Sequence, residues 1–170
     1  GAKPKGGKTS LIQQTLDRLS PLIPRHQTYI VTNKAHEEQV RIQLQGVAPR
    51  FLIEPASRNT APAIALAARE LMSTGEDPMM VVCPADHVIQ HPKRFRAVLR
   101  VAAQMATQRY LVTLGVTPTR PETGYGYLKR GKQIARGPCP VFTVETFVEK
   151  PTRGRVRSWW RGGVYLWNAG

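Results

Sequence analysis

Short apolar runs alternate with helical patterns over residues 11–115, and this alternation constrains the fold more than any other feature of the sequence. Residues 79–83 form a continuous apolar run, which is typical of a strand buried on both faces of a parallel sheet. The remaining predicted strands are 28–32, 51–53 and 111–114, and the predicted helices are 11–19, 35–44, 61–72 and 95–105. We therefore expect an α/β fold, with a mostly parallel, mixed sheet flanked by helices.

The pattern changes after Gly115, where strands follow one another with few helices between them. Strands are predicted at residues 125–128, 141–148 and 164–167, with one short helix at about 155–161. Antiparallel or mixed strands are therefore expected at the ligand-binding end of the sheet.

Composition excludes several classes of protein. The chain has 170 residues, 41% of them hydrophobic, which is enough for one domain with a core. No apolar run approaches the roughly 18 residues of a membrane helix, so no membrane partner is expected. Cys83 and Cys139 do not form a disulfide framework, and a reducing, cytoplasmic setting is the simplest interpretation.

The formal net charge of +14 makes nucleic acid a partner to consider. The basic residues are scattered, however, and aromatic residues are not interleaved with them. We interpret the charge chiefly as a solvated basic surface and secondly as attraction for phosphate ligands. Specific nucleic-acid binding is the least favoured of the three interpretations.

Asp86 follows the apolar run at residues 79–83, at the position where an open α/β sheet keeps its ligands. An aspartate there is equally typical of a turn or a helix cap, so both interpretations stay open. No His or Cys cluster has zinc spacing, and a hard ion such as Mg²⁺, held by carboxylate and phosphate, is the metal to expect.

Residues 54–62 join a predicted strand to an apolar helix. Asn59 and Thr60 are typical helix caps. Alternatively, the helix N-terminus and Arg58 form a polar rim that favours anions.

Two further motifs indicate a sugar phosphate. Residues 122–127, with the sequence ETGYGY, place glycines between aromatic side chains and let a ring-shaped ligand approach the backbone. Pro151 follows Glu149 and Lys150. Glu149 offers a hydrogen-bond acceptor and Lys150 a cation to a hydroxylated, phosphorylated substrate. With Asp86, these motifs suggest a sugar phosphate held beside a metal-bound nucleotide.

Five segments, in this order along the chain, resemble the mannose-1-phosphate guanylyltransferase family of sugar-nucleotide pyrophosphorylases: 54–65, 84–87, 118–127, 147–151 and 167–170. The resemblance implies a Rossmann-like nucleotidyltransferase fold that makes GDP-mannose and pyrophosphate from GTP and mannose 1-phosphate, with Mg²⁺. Alternatives are another sugar-1-phosphate nucleotidyltransferase, a catalytically inactive sugar-nucleotide-binding homologue, or, on charge alone, a nucleic-acid-binding module.

The resemblance also implies roles for individual residues. Asp86 is the expected metal ligand, and the expected catalytic residues are Lys5, Asp86 and Lys150. The expected nucleotide-binding residues are Glu54, Arg58, Asn59, Thr60, Ala61, Pro84 and Asp86. The expected sugar-binding residues are Tyr125, Gly126, Glu149, Lys150 and Asn168.

The sequence departs from the family at its start. The family opens with a strand and a glycine-rich signature loop that ends near Lys-Pro-Lys, whereas here Lys3-Pro4-Lys5 runs directly into Gly6. We expect the full protein to hold this strand and loop before Lys3, with chain breaks near residues 2–6, and more strand after Gly170. Residues 1–170 then form one domain, incomplete at both ends, with a nucleotide-binding half at about 1–115 and a sugar-binding half at 116–170. A homo-oligomer and a fused isomerase domain are left open.

Overall fold

The computed structural model describes residues 9–47, 49–137 and 139–169. The chain divides into two compact units, residues 1–96 and 97–170. The division lies inside a helix, α4 (Pro92–Ala106). The expected nucleotide-binding half at about 1–115 and sugar-binding half at 116–170 stay a prediction. That the chain is one functional domain stays a prediction.

The first unit pairs two parallel strands with helices. Its elements are α1 (Leu11–Leu19), β1 (Tyr29–Asn33), α2 (Lys34–Gln43), β2 (Arg50–Glu54), α3 (Thr60–Met72) and the first turn of α4. A short 3-10 helix, Arg25–Gln27, precedes β1. In the β1–β2 pair, Tyr29 lies opposite Arg50 and Asn33 lies opposite Glu54. Both strands therefore end at the same edge, which places their last polar side chains together.

A capping box fixes the start of α1. The Gln13 N–H donates to the Ser10 hydroxyl at 3.4 Å, and the Ser10 N–H donates to Gln13 Oε1 at 2.8 Å. These bonds satisfy two amides that a helix start leaves without a partner. Leu16 and Leu19 are buried on the inner face of the helix, as the apolar spacing predicts.

The second unit holds a four-stranded antiparallel sheet in the order β3-β6-β4-β5. Its elements after α4 are β3 (Gly115–Val116), β4 (Tyr127–Ala135), β5 (Val141–Val148), α5 (Arg153–Trp159) and β6 (Tyr165–Asn168). Tyr127, Val156 and Trp167 form its buried core, and Trp159 and Tyr165 pack against them. The helix α5 thus covers the sheet through aromatic and branched side chains.

The α/β class, with a parallel sheet and helices, is confirmed, and antiparallel strands follow in the second half as predicted. The strand β4 starts later and runs further than the predicted 125–128, and β3 was not predicted. Two strand predictions are wrong, because residues 79–83 and 111–114 adopt no strand structure. A strand needs a hydrogen-bonded neighbour, and none of the described segments pairs with either run. Apolar side chains of both runs are exposed, Val82 at 45% and Leu111 fully.

Across residues 9–47, 49–137 and 139–169, the longest apolar stretches within helices fall short of what is needed to span a lipid bilayer.

Candidate functional site

Three strand ends meet beside Tyr127 in the second unit. Tyr127 lies opposite Val148 of β5 on one side and opposite Trp167 of β6 on the other. This antiparallel register brings the residue before Tyr127, which is Gly126, next to Glu149 and Asn168. The Asn168 N–H donates to the Gly126 carbonyl at 2.8 Å.

The predicted sugar-binding residues therefore lie together, and we call this group the sheet-end cluster: Tyr125, Gly126, Glu149, Lys150 and Asn168. The Tyr125 ring meets the Trp167 ring edge-on, with centroids 5.2 Å apart. Tyr125 is 43% exposed, so its free surface remains open to a ligand. The strand register brings these residues together, and their roles toward a sugar stay predictions.

Gly126 lies against the ends of two exposed side chains, which a β-carbon at this position would have to displace. A β-carbon at this position would lie 2.9 Å from Glu149 Oε2 and 2.8 Å from Phe147 Cζ. Real β-carbons are almost never found this close to another heavy atom. The absence of a side chain thus lets the Glu149 carboxylate lie directly against the backbone of the ETGYGY segment.

Glu149 and Lys150 present opposite charges to solvent at the end of β5. Lys150 Nζ lies 3.8 Å from Glu149 Oε1, and both side chains are more than half exposed. An exposed pair at this distance contributes little to stability, so it can separate to contact a ligand. Lys150 also has φ +42°, a left-handed conformation that is costly for a lysine.

The Asn168 amide is oriented by a residue that the sequence did not single out. The Thr113 hydroxyl donates to Asn168 Oδ1 at 2.6 Å. The same segment accepts a further bond, because the Ala169 N–H donates to the Leu114 carbonyl at 3.0 Å. Asn168 thereby keeps its amide NH₂ as a donor for a ligand.

The Tyr127 hydroxyl organises the loop before β4. It donates to the Glu122 carbonyl at 2.8 Å and accepts from the Glu122 N–H at 3.2 Å and from Trp167 Nε1–H at 2.8 Å. Tyr127 is completely buried, and these bonds use its full hydrogen-bonding capacity. Sequence reasoning missed this role.

The Glu122 side chain closes the same loop. Its Oε1 accepts from the Gly124 N–H at 3.0 Å, and its Oε2 lies 3.3 Å from Arg120. The hydrogen bond from Gly124, followed by that from Arg120, lowers the pKa of the Glu122 carboxyl below its usual value. The loop that carries Tyr125 and Gly126 is thus fixed by one buried hydroxyl and one carboxylate.

In the first unit, Asp86 lies in a turn after the irregular run at residues 79–83, and its side chain is exposed. Within the described part of the chain, its carboxylate forms no hydrogen bond and no salt bridge. An aspartate that caps a helix or closes a turn through its side chain would show such a bond. The Asp86 side chain therefore closes no turn and caps no helix among the described residues, and its role as a metal ligand stays a prediction.

Residues 54–61 form the second predicted nucleotide segment, at the carboxyl end of β2. Asn33, which lies opposite Glu54, donates through Nδ2 to the Ser57 hydroxyl at 2.8 Å. Asn59 occupies the N-cap position of α3, but its side chain forms no capping bond, which corrects the expected cap. Its backbone, at φ +58° and ψ −166°, is strained for any residue except glycine.

Among the residues described, no hydrogen bond or salt bridge joins the segment at 54–61, which includes Arg58, Thr60 and Ala61, to the turn with Pro84 and Asp86. Lys5 and the expected chain breaks near residues 2–6 lie outside the described residues.

The profile of the nucleotidyl transferase family matches residues 2–170. The chain belongs to the nucleotidyl transferase family.

Two bacterial relatives of this nucleotidyl transferase chain match almost its whole length. A mannose-1-phosphate guanylyltransferase of Escherichia coli is 42% identical over 168 residues, which cover 96% of this chain. The xanthan biosynthesis protein XanB of Xanthomonas campestris pv. campestris is 44% identical over 170 residues, 98% of this chain. The chain spans 35% of the length of each of these relatives.

The fold agrees with a solved structure as well. A crystal structure described as mannose-1-phosphate geranyltransferase from Thermus thermophilus matches with a TM-score of 0.83 and 36% identity, over 98% of this chain and 47% of that one. The resemblance inferred from the five motifs is thereby confirmed.

The residues of this nucleotidyl transferase fit a magnesium ion that nucleotide phosphates help to hold. No group of three or more His, Cys, Asp or Glu side chains gathers as a metal cage in the described ranges. Mg²⁺ typically binds one or two carboxylates together with substrate phosphates and water, and not a complete protein cage. A single exposed carboxylate such as Asp86 suits that arrangement.

Proposed function

We propose that the protein transfers a guanylyl group from GTP to mannose 1-phosphate, giving GDP-mannose and pyrophosphate. The observation that carries the proposal is the sheet-end cluster, where a glycine, an aromatic ring, an amide, a carboxylate and an ammonium group converge. This set matches the chemistry of a sugar phosphate. Membership of the nucleotidyl transferase family and relatives named mannose-1-phosphate guanylyltransferase support it.

The reaction needs no covalent enzyme intermediate. A phosphate oxygen of mannose 1-phosphate attacks the α-phosphorus of GTP and forms a new P–O bond. The bond between the α-phosphorus and the bridging oxygen to the β-phosphate breaks, and pyrophosphate leaves with the electron pair. Catalysis is then positioning and neutralisation of charge.

Each residue of the sheet-end cluster has a defined task in this proposal. Glu149 and the Asn168 amide bind the sugar hydroxyls as acceptor and donor. Lys150 binds the sugar phosphate and holds its attacking oxygen. Tyr125 covers one face of the ring, and Gly126 lets the sugar reach the backbone.

On the nucleotide side, residues 54–61 bind the guanine base and ribose, and Asp86 binds the metal. Mg²⁺, when bound, neutralises negative charge on the α-phosphate. Lys5 would add positive charge beside the phosphates. A cytoplasmic location belongs to the same proposal and agrees with Cys83 and Cys139 as free thiols.

Pyrophosphate release from GTP tests the function directly. We expect release with mannose 1-phosphate and at least roughly tenfold slower release with glucose 1-phosphate, since a site built to bind sugar hydroxyls rejects an isomer that misplaces one. A preference for glucose 1-phosphate or for another nucleoside triphosphate would indicate a different sugar-1-phosphate nucleotidyltransferase. Binding of GTP and mannose 1-phosphate without release would indicate an inactive homologue.

Asp86→Asn tests the metal assignment. The substitution removes the charge and keeps the size of the side chain, so we expect an intact fold with turnover reduced by orders of magnitude. Circular dichroism and thermal unfolding serve as the control for folding. Near-normal turnover would make Asp86 a turn residue only.

A further inference from the structure

The helix α1 holds the chain on both sides of Asp86. The Thr15 hydroxyl lies 3.3 Å from the Ala85 carbonyl, and Arg18 Nη1 lies 3.2 Å from the His87 carbonyl. We call residues 84–88 the Asp86 loop. Its two carbonyls that flank Asp86 are thus both hydrogen-bonded to side chains one helical turn apart on α1.

The two side chains also bind each other. Arg18 Nη2 donates to the Thr15 hydroxyl at 2.7 Å, so the threonine oxygen accepts from Arg18 while it donates to Ala85. Both residues are more than nine-tenths buried. A connected pair of this kind fixes the distance between its two attachment points on the loop.

Arg18 is an unusual residue to bury for packing alone. It makes no salt bridge with the described carboxylates, and its Nε has no hydrogen-bond partner there. Its guanidinium group lies 5.5 Å from the centre of the Phe95 ring. Burying a cation without a carboxylate costs free energy that an apolar residue would not cost. The cost is understandable if the Asp86 loop needs hydrogen bonds that an apolar residue cannot supply.

A further bond holds Arg18 itself in place. Arg96 Nη1 donates to the Arg18 carbonyl at 3.1 Å, near the end of α1. The loop has no regular secondary structure of its own, so its conformation depends on such contacts. The Asp86 carboxylate, which lacks a hydrogen bond to the described residues, is then positioned only through its backbone.

We propose that Thr15 and Arg18 are positioning residues that hold the Asp86 carboxylate in place for the metal–nucleotide complex. The proposal rests on the proposed role of Asp86 as the metal ligand. Neither residue touches the metal or the nucleotide, and both act through the backbone carbonyls of the Asp86 loop. Loss of either contact should therefore weaken binding of the metal-bound nucleotide and leave binding of the metal-free nucleotide unchanged.

The test compares Thr15→Val, Thr15→Ser, Arg18→Met, Asp86→Asn and Arg25→Met. Isothermal titration calorimetry measures GTP binding with Mn²⁺ and, separately, with EDTA, so the readout is binding and not turnover. We expect Thr15→Val and Arg18→Met to weaken Mn²⁺–GTP binding by about tenfold, the lower range for residues that orient a metal ligand. Thr15→Ser keeps the hydroxyl and should bind as the wild type does.

Arg25→Met is the matched control for Arg18→Met. Arg25 forms an exposed salt bridge, at 2.7 Å, with Asp17 of α1. The Arg25→Met substitution therefore removes the same charge as Arg18→Met, but away from the Asp86 loop. We expect no change in either measurement. If Arg18→Met fails to fold, the pair Thr15→Val and Thr15→Ser decides.

The outcomes separate the two proposals. If Asp86→Asn leaves Mn²⁺–GTP binding unchanged, the metal assignment is wrong and the positioning role fails with it. If Asp86→Asn weakens binding but Thr15→Val and Arg18→Met do not, only the positioning role is overturned. Equal weakening with Mn²⁺ and with EDTA would also overturn it, since that result indicates a general structural effect.

Discussion

Single residues explain why the sheet-end cluster combines close backbone approach with exposed charges. Gly126 leaves room for the Glu149 carboxylate, and a β-carbon there would lie 2.9 Å from its oxygen. Lys150 is held at positive φ, where its backbone is strained, while its side chain stays exposed. Strain of this kind is retained where surrounding structure determines the backbone, and it gathers at binding sites. These features contribute little to stability, which agrees with the proposed role of the cluster in ligand binding.

Lys150→Ala should weaken use of mannose 1-phosphate. A hydrogen bond to a charged group contributes about 1.5–3 kcal/mol, so kcat/KM for mannose 1-phosphate should fall roughly 10- to 150-fold. GTP binding should change little. Steady-state kinetics with each substrate varied in turn measures both effects. Lys34→Ala, which removes an 87% exposed lysine from α2, is the control. An equal loss of GTP affinity would indicate that Lys150 contacts the nucleotide and not the sugar phosphate.

At the scale of elements, the second unit positions its loop through buried contacts between strands. The Tyr127 side chain, at the start of β4, bonds to the loop through Glu122 and to β6 through Trp167. The helix α5 covers this junction with Val156 and Trp159. The loop of residues 122–126 is therefore tied to the core through the Tyr127 hydroxyl.

Tyr127→Phe should destabilise this unit. The substitution leaves the Glu122 amide and carbonyl and the Trp167 indole N–H without their partner. Buried polar groups left in this state cost about 1–3 kcal/mol of the free energy of unfolding. Chemical denaturation measures the loss. The Tyr165 hydroxyl forms no hydrogen bond with the described residues, so Tyr165→Phe should reduce the free energy of unfolding far less. Equal effects for both variants would contradict the proposed role of the Tyr127 hydroxyl.

Acid should loosen the loop of residues 122–126. The Gly124 N–H, followed by Arg120, lowers the pKa of Glu122 in the folded protein. Its contribution to stability is then complete above the unfolded glutamate pKa of about 4.3 and is lost as pH falls through the lower, folded value. Hydrogen exchange at Gly124 across this range measures the loss. Glu122→Gln should remove the pH dependence, and an unchanged profile in that variant would assign the effect to another group.

The sequence predicted individual helices and strands better than it predicted strand pairing. Val141–Val148 and Leu11–Leu19 form where the apolar spacing placed them, because local periodicity reports which face is buried. The strand predictions at 79–83 and 111–114 were wrong because periodicity does not identify a partner strand. Motifs found Gly126 and Glu149, whereas Thr15, Arg18 and Thr113 act through backbone or amide groups that no sequence pattern marks.

At the scale of the whole molecule, the formal net charge of +14 favours anionic ligands of any kind. Part of this charge lies on α5, where Arg153, Arg155 and Arg157 are exposed. None of these arginines pairs with a carboxylate in the described structure. Their field reaches roughly 10 Å at 0.1 M salt, so salt will change the attraction of phosphates without changing the fold.

Salt should separate a nucleotide enzyme from a nucleic-acid-binding protein. If the charge serves to attract small phosphates, raising the ionic strength should increase the KM of GTP more than that of mannose 1-phosphate, because GTP carries more negative charge. Replacing Arg153, Arg155 and Arg157 with glutamine should flatten this dependence and leave kcat unchanged, since the substitutions lie outside the predicted site. Random-sequence DNA at an equal phosphate concentration should not inhibit pyrophosphate release at about 0.15 M salt. At this salt concentration, a protein that contacts only the phosphates binds DNA weakly. Strong inhibition by DNA at that salt concentration would instead indicate that the basic surface binds nucleic acid, provided that the glutamine variant loses the inhibition.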